Sequence, residues 1–237
     1  MSRIELIRKE EKKYHDYCYD NYKLFEAGSW LHKPVQTVMD ILPFLDTYET
    51  VNVLDLGCGV GRNSIPIAEA LKDKQCRVDC VDLLDSAIQK LRHYSAKYGV
   101  NEIIRTEKAD LGNYAIKQKE YDFIVAVSSL EHVASEGHLH HVLSQMVKGT
   151  KHNGINCIVV NSEVKEIDLE DGTELPVQME INISTIEMIN RLEKLYGGWE
   201  ILKHVVKPLE YKITRNEKDV LLKTNAITYV ARKIEVV

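Results

Sequence analysis

Val53-Leu-Asp55-Leu-Gly57-Cys58-Gly59-Val-Gly61-Arg62-Asn63 is the stretch on which the reading of the chain turns. An apolar strand runs into a glycine-rich turn, and the turn opens a helix. With no side chains in the way, backbone amides at that helix start can approach a ligand closely. A bare glycine pattern can equally be a tight strand-to-helix turn that binds nothing. The spacing here is Gly-x-Gly-x-Gly, and Arg62 stands where a dinucleotide fingerprint wants its last glycine, which disfavours NAD and FAD. Asp55 precedes the first glycine by two residues, where its carboxylate can sit near a cationic amino group of a ligand.

Outward from this turn, short apolar strands alternate with helices, the signature of βαβ units and a parallel sheet. Strands are expected at 51–56, 77–81, 103–109, 121–127, 155–160, 199–206 and 225–231. Helices are expected from near Gly61, Asp85, Ser135 and Ser184, the last opening with the capping-box sequence Ser184-Thr-Ile-Glu187. Gly99 and Gly149 are read as left-handed helix ends. Two stretches, 162–183 and 207–224, break the alternation and are long enough to be functional loops. Upstream, residues 3–26 carry Tyr14, Cys18, Tyr22 and Phe25 at helical spacing, and Pro34 can open a second helix that Pro43 interrupts. The expected organisation is an N-terminal helical extension at 1–48 and an α/β, Rossmann-like domain at 49–237.

Two further acids end the next strands. Asp82, followed by Leu83, can accept both ribose hydroxyl protons, and Asp110, followed by Leu111, can accept from an exocyclic amine beside an apolar wall. A lone Asp at a strand end is usually a turn-former, but three after three successive strands are harder to dismiss.

Of the 237 residues, 44% are hydrophobic and 28% charged, as in an ordinary globular protein able to bury its own core. Net charge is −5 with the cations scattered among acids, so nucleic acid is a poor partner. No apolar run approaches the roughly 20 residues of a membrane span and the amino terminus is charged, so a cytoplasmic protein is expected. Cys76 and Cys80 lie on an expected strand, about 13 Å apart at the usual rise, too far for a disulfide. All five cysteines are read as thiols, and without Cys/His ligand spacing no metal is expected.

In combination these motifs resemble the class I S-adenosylmethionine-dependent methyltransferases over roughly residues 51–165. Val53 to Arg62 is similar to their first motif, Val81-Asp82 to their ribose acid and Ala109-Asp110-Leu111 to their adenine contact. Residues 121–127 with Leu130-Glu131-His132-Val133 resemble their fourth strand and the segment after it. Gly61-Arg-Asn-Ser64, Tyr196-Gly-Gly-Trp199-Glu200 and Ala231-Arg-Lys233 look most like the tellurite-resistance TehB-like branch. About fifty residues precede the first strand, and Tyr211 stands where that branch tends to show a histidine, so the resemblance does not bring tellurite with it as the acceptor.

The resemblance implies seven strands with the last antiparallel, and S-adenosyl-L-methionine as cofactor with S-adenosyl-L-homocysteine as product. Asp55, Gly57, Cys58, Gly59, Gly61, Arg62, Asn63, Asp82, Leu83, Asp110, Leu111 and Ser128 are the cofactor residues it implies. The chemistry is an in-line displacement to an acceptor, expected to be a small molecule, that needs positioning in a dried site more than an acid or base. Ser128-Ser129-Leu130 replaces the Asn-Pro-Pro-Tyr type of sequence used on DNA bases. The alternatives are a catalytically silent binding module and a nicotinamide-dependent oxidoreductase; the glycine spacing goes against the second. His132 can serve as a base if it stays near neutral, though a packing or capping histidine is the commoner case. His138, His140 and His141 read as a solvated helix end. The aromatic stripe of the first helix and Trp30 fits either a lid over the sulfonium or plain packing on the sheet or another subunit.

Overall fold

The computed structural model describes residues 2–215 and 218–234. Its strands are β1 (Thr50–Leu56), β2 (Gln75–Asp82), β3 (Ile104–Lys108), β4 (Tyr121–Val127), β5 (Thr150–Asp168), β6 (Glu174–Leu175), β7 (Glu200–Arg215) and β8 (Lys218–Arg232). They form one sheet in the order β3-β2-β1-β4-β5-β8-β7, with the two-residue β6 paired to β5 off that path. β3, β2, β1, β4 and β5 run parallel, and β8 is antiparallel to both neighbours. The expected seven strands are present with the last one reversed, inserted between the fifth and sixth.

β4 is buried along its whole length because both sheet faces are covered, which is why it reads as an unbroken apolar run. On one face Val53, Phe123 and Val125 pack with Ile65 and Ile67 of α3 (Ser64–Leu71) and Leu91 of α4 (Asp85–Lys97). Leu24, Leu31, Val38 and Leu45 of the N-terminal segment join this core. On the other face Leu54, Leu56 and Ile124 meet Leu143 of α5 (Glu136–Gly149) and Leu192 of α6 (Thr185–Leu195). Alternate residues of β1 thus feed two separate cores.

α1 (Arg3–Asn21) starts in a capping box between Ser2 and Glu5 and ends short of the expected residue 26, because Tyr22 turns extended. Pro34 does not open a helix. Val35 is the N-cap of the single turn α2 (Gln36–Met39), and Pro43 starts the separate 3-10 turn Leu42–Leu45. α3 begins at Ser64, three residues after Gly61. At Ser184 half of the expected capping box forms, with the hydroxyl accepting from Glu187 N–H, while the Glu187 side chain pairs with Arg191.

The second expected loop is largely strand, and the first is strand at its start and at the short β6. β5 continues to Asp168, and β7 and β8 form a long hairpin through most of 207–224. Their charged residues hid the twofold alternation, and those charges pair across the ladder. Glu210 and Lys223 are register partners 2.8 Å apart, and Lys218 meets Asp168 at 2.7 Å. Pro208 is tolerated because β7 is the edge strand.

Gly99 is left-handed (φ +68°) as expected, but Gly149 is absent from the positive-φ glycines. It is glycine for space: a Cβ there would lie 2.5 Å from Ile116 Cγ2 and 3.2 Å from the Lys117 carbonyl oxygen. Gly149→Ala is therefore expected to destabilise by about 1–3 kcal/mol despite alanine's helix propensity. Gly99→Ala, with open space around it, costs only the left-handed backbone term of about 1–2 kcal/mol. Urea denaturation of both variants checks this, and a stabilised Gly149→Ala contradicts the packing account.

Candidate functional site

β1 lies between β2 and β4, so the chain leaves β1 toward one side of the sheet and β4 toward the other, and a crevice opens beyond their carboxyl ends. Two loops line it: 57–63 after β1 and 128–133 after β4. They touch at Gly57, where a Cβ would fall 2.3 Å from Ser129 Cβ. The Ser129 hydroxyl donates to the Leu56 carbonyl at 2.7 Å and locks the second loop against the first.

Gly57, Gly59 and Gly61 all have positive φ, at +74°, +53° and +95°. Gly57 N–H and Cys58 N–H donate to the Val81 carbonyl at 2.8 and 3.1 Å, tying the turn to the end of β2. The Asp82 carboxylate accepts from Gly59 N–H at 2.8 Å with one oxygen and from Leu84 N–H at 2.9 Å with the other. Each oxygen has a second lone pair, so this acid holds the loop and can still accept two further protons. Burial raises the Asp82 pKa, with those amides pulling the other way.

Asp55 is turned differently. Fully buried, it accepts from the Ser64 hydroxyl at 2.5 Å, and burial pushes its pKa up to about 6 against that bond. It anchors the head of α3 behind the turn. Asp110 caps the next turn through Gly112 N–H at 2.9 Å, and its other oxygen lies 2.9 Å from Arg8 of α1. Leu111 is buried beside it, whereas Leu83 is exposed. Ser128, a non-glycine residue at φ +49°, is an exposed left-handed position where β4 ends, and such strain concentrates at functional sites.

Arg62 and Asn63 point to the N-terminal extension. Arg62 donates to the Trp30 carbonyl at 3.0 Å and stacks 5.0 Å from that ring, and Asn63 accepts from Val35 N–H at 3.0 Å. Cys58 is buried under the turn.

α1 crosses this crevice. Arg8 faces Asp110, Asp16 accepts from the Ser86 hydroxyl at 2.5 Å, and the Tyr19 hydroxyl lies 3.2 Å from where a Gly59 Cβ would be. The space left open by Gly59 is therefore a cradle between loop and helix that any other residue would fill. Burial lowers the His15 pKa, while the nearby charges of Glu11 and Asp82 oppose it. Sequence reasoning missed Arg8, Glu11 and His15. Their spacing, continued by Tyr19, is a polar stripe on the helix face that turns inward, legible only once that face is known.

His132 lies in the 3-10 turn Leu130–His132, its Nδ1 3.0 Å from Glu180. Burial alone would lower its pKa, but the Glu180 bond and the charges of Glu131 and Glu11 outweigh it and raise the value to about 9. A pKa raised in this way favours the protonated ring at neutral pH and works against His132 as a base. His138 bonds Ser135 at 2.7 Å and His141 bonds Gln145 at 2.8 Å within α5. Among the described residues no group of three or more His, Cys, Asp or Glu side chains could hold a metal, and no helix is long and apolar enough to cross a membrane.

Residues 53–154 match the family model described as a methyltransferase domain. The chain is 27% identical over 194 residues to the probable S-adenosyl-L-methionine-dependent methyltransferase TehB of Haemophilus influenzae, covering 82% of this chain and 61% of that protein. It is 25% identical over 171 residues to a sterol 24-C-methyltransferase of Debaryomyces hansenii, covering 72% and 43% respectively. It spans about half the length of the curated relatives it matches. The crystal structure of Haemophilus influenzae TehB superposes with a TM-score of 0.63 at 24% identity, over 92% of this chain and 66% of that one, and bears on the fold. By sequence and by fold the chain is similar to class I S-adenosylmethionine-dependent methyltransferases, TehB among them. The cofactor of that family is S-adenosylmethionine.

A histidine whose folded pKa is raised stabilises the fold fully below its unfolded value, and that contribution is lost as pH rises through the folded value. For His132 the window runs from 6.5 to about 9. Its imidazole protons should titrate with a midpoint near 9 by NMR, and His132→Gln should flatten the fall in stability across that window. A midpoint at or below 6.5 contradicts the ion pair.

Proposed function

We propose that the protein transfers the methyl group of S-adenosylmethionine to a small-molecule acceptor, and that α1 closes over the bound cofactor as a lid. The observation that carries this is the contact between Asp82 and Gly59, under α1, which joins the glycine turn and the ribose acid in one cradle. Asp82 has free lone pairs for the ribose hydroxyls, and Asp110, with the apolar Leu111 beside it, suits the adenine. Gly59 keeps a side chain out of the space for the methionine end, while Gly57 and Gly61 let the turn pack closely on Ser129, Ile65 and Leu91. Asp55 acts on that end through the loop it anchors.

When bound, the cofactor supplies a methyl group on a sulfonium, already activated for displacement. The chain's part is to position and to exclude water. α1 covers the crevice, Tyr19 and Trp30 bring aromatic faces toward the cation, and Ser128 and Ser129 fix the floor on which the acceptor meets the methyl. The net charge of −5 favours an acceptor other than nucleic acid, and five free cysteines suit a reducing, cytoplasmic setting.

Calorimetry with S-adenosylhomocysteine tests the reading. The intact protein should bind, and Asp82→Ala should bind at least about tenfold more weakly, the value of one or two hydrogen bonds to a charged group. Absence of binding up to millimolar ligand sinks the proposal. Hydrogen exchange tests the lid separately: amides of residues 3–21 should slow on adding S-adenosylhomocysteine, and unchanged exchange despite binding shows that α1 is not one.

A further inference from the structure

Asp55, Asp82 and Asp110 follow β1, β2 and β3, on one half of the crevice. The other half, beyond β4, β5 and β7 and under the first turns of α1, holds a second set of charged groups with no part in the cofactor cradle. Arg8 joins the two halves, with its Nη2 2.9 Å from Asp110 and its Nε 3.7 Å from Glu180. Glu180 also pairs with His132, and Arg215 at the end of β7 lies 3.3 Å from Glu11 and 3.5 Å from Glu166. These elements are far apart in sequence, and their charges meet only here.

The network is not closed on itself. Glu131 is 0% exposed and its Oε1 accepts from the backbone and side-chain amides of Asn161, yet its Oε2 has no hydrogen-bond partner in the protein. Neither Nε nor Nη2 of Arg8 makes an aligned hydrogen bond, despite the short distance to Asp110, and Arg215 Nε is likewise unmatched. A buried carboxylate oxygen without a donor is costly, so a ligand that supplies one gains most of that cost back. Nε and Nη2 share one edge of a guanidinium and form the fork that takes both oxygens of a carboxylate. The unmatched atoms therefore call for a donor at Glu131 and for acceptors at Arg8 and Arg215. In formal charge, the carboxylates of Glu11, Glu131, Glu166 and Glu180 face Arg8, Arg215 and a protonated His132. That excess of one negative charge admits an ammonium and disfavours a purely anionic molecule.

We propose that the methyl acceptor is a small amino-acid-like zwitterion, its carboxylate held by Arg8 and Arg215 and its amine facing Glu131. The inference rests on the proposed methyl transfer and names its substrate class. Glu131 takes one proton from the ammonium, which frees the nitrogen lone pair. That pair forms the new bond to the methyl carbon while the electrons of the carbon–sulfur bond stay on sulfur. The products are a methylated ammonium and a neutral thioether, and the proton on Glu131 returns to solvent.

The test uses the intact protein saturated with S-adenosylhomocysteine for calorimetry, and with methyl-labelled cofactor for turnover. The probes are glycine, β-alanine, 4-aminobutyrate and 6-aminohexanoate, with methylamine and acetate as half-molecules. At least one zwitterion should bind and be methylated on nitrogen, with each half-molecule at least about tenfold weaker, since each lacks one charge-assisted contact. Glu131→Gln should lower kcat for that zwitterion, and Arg215→Gln should raise its KM, both by at least about tenfold while S-adenosylhomocysteine still binds. Failure of every zwitterion to bind to the S-adenosylhomocysteine complex overturns the proposal and leaves the methyltransferase reading standing. So does methylamine binding as well as the best zwitterion, or unchanged kinetics in both variants. If the protein does not bind S-adenosylhomocysteine at all, the underlying reading fails and the proposal falls with it.

Discussion

The carboxylate of Asp82 is where the end of β2, the glycine turn after β1 and the start of α4 are fastened together, through Gly59 N–H on one oxygen and Leu84 N–H on the other. Without it the turn has only the Val81 carbonyl, which takes the amides of Gly57 and Cys58, to hold it to the neighbouring strand. The constraint works because the acid is buried. A solvent-exposed carboxylate would exchange those amides for water at little cost, whereas here both oxygens must be satisfied by protein or ligand. The same burial raises its pKa, and the amides and nearby His15 oppose that rise. An aspartate that shapes a loop and keeps a spare lone pair on each oxygen makes the crevice surface part of the fold's own hydrogen bonding.

The legibility of each part depends on the range of the interactions that fix it. The core strands β1, β2 and β4, the glycine turn and Asp82 are set by neighbours in sequence or by the period of an apolar run, and the sequence displays both. The strand extensions were missed because Lys165, Glu166, Glu210 and Lys223 read as loop until their cross-strand partners are known. Gly149 shows the limit of reading single residues. Its identity answers to Ile116, more than thirty residues upstream, and no local pattern announces that contact. The charged network was the least legible part. Arg8, Glu166, Glu180 and Arg215 each look like ordinary surface residues, and only the folded chain gathers them.

Arg62 and Asn63 illustrate a different division of labour. They come directly after the glycine turn, where a cofactor contact is the natural expectation, yet their side chains bond to Trp30 and Val35. The same helix start that presents amides toward the crevice thus presents side chains to the N-terminal extension. The consequence is mechanical coupling. Trp30 in turn packs edge-on against His15 and Tyr19 of α1, so the helix rests on the turn indirectly, and a ligand that repositions the turn changes that footing.

That coupling bears on the order of events. Arg8 sits against Asp110, so an adenine that engages Asp110 competes with a contact that now holds α1 in place. Once released, the guanidinium still has Glu180 as an ion-pair partner, on the acceptor half of the crevice. If the proposed cofactor site is right, cofactor entry turns Arg8 from a latch on Asp110 into a partner of Glu180 alone. On the proposed assignment of the two halves, a molecule arriving before the cofactor meets an Arg8 still committed to Asp110, and the cofactor would precede the acceptor.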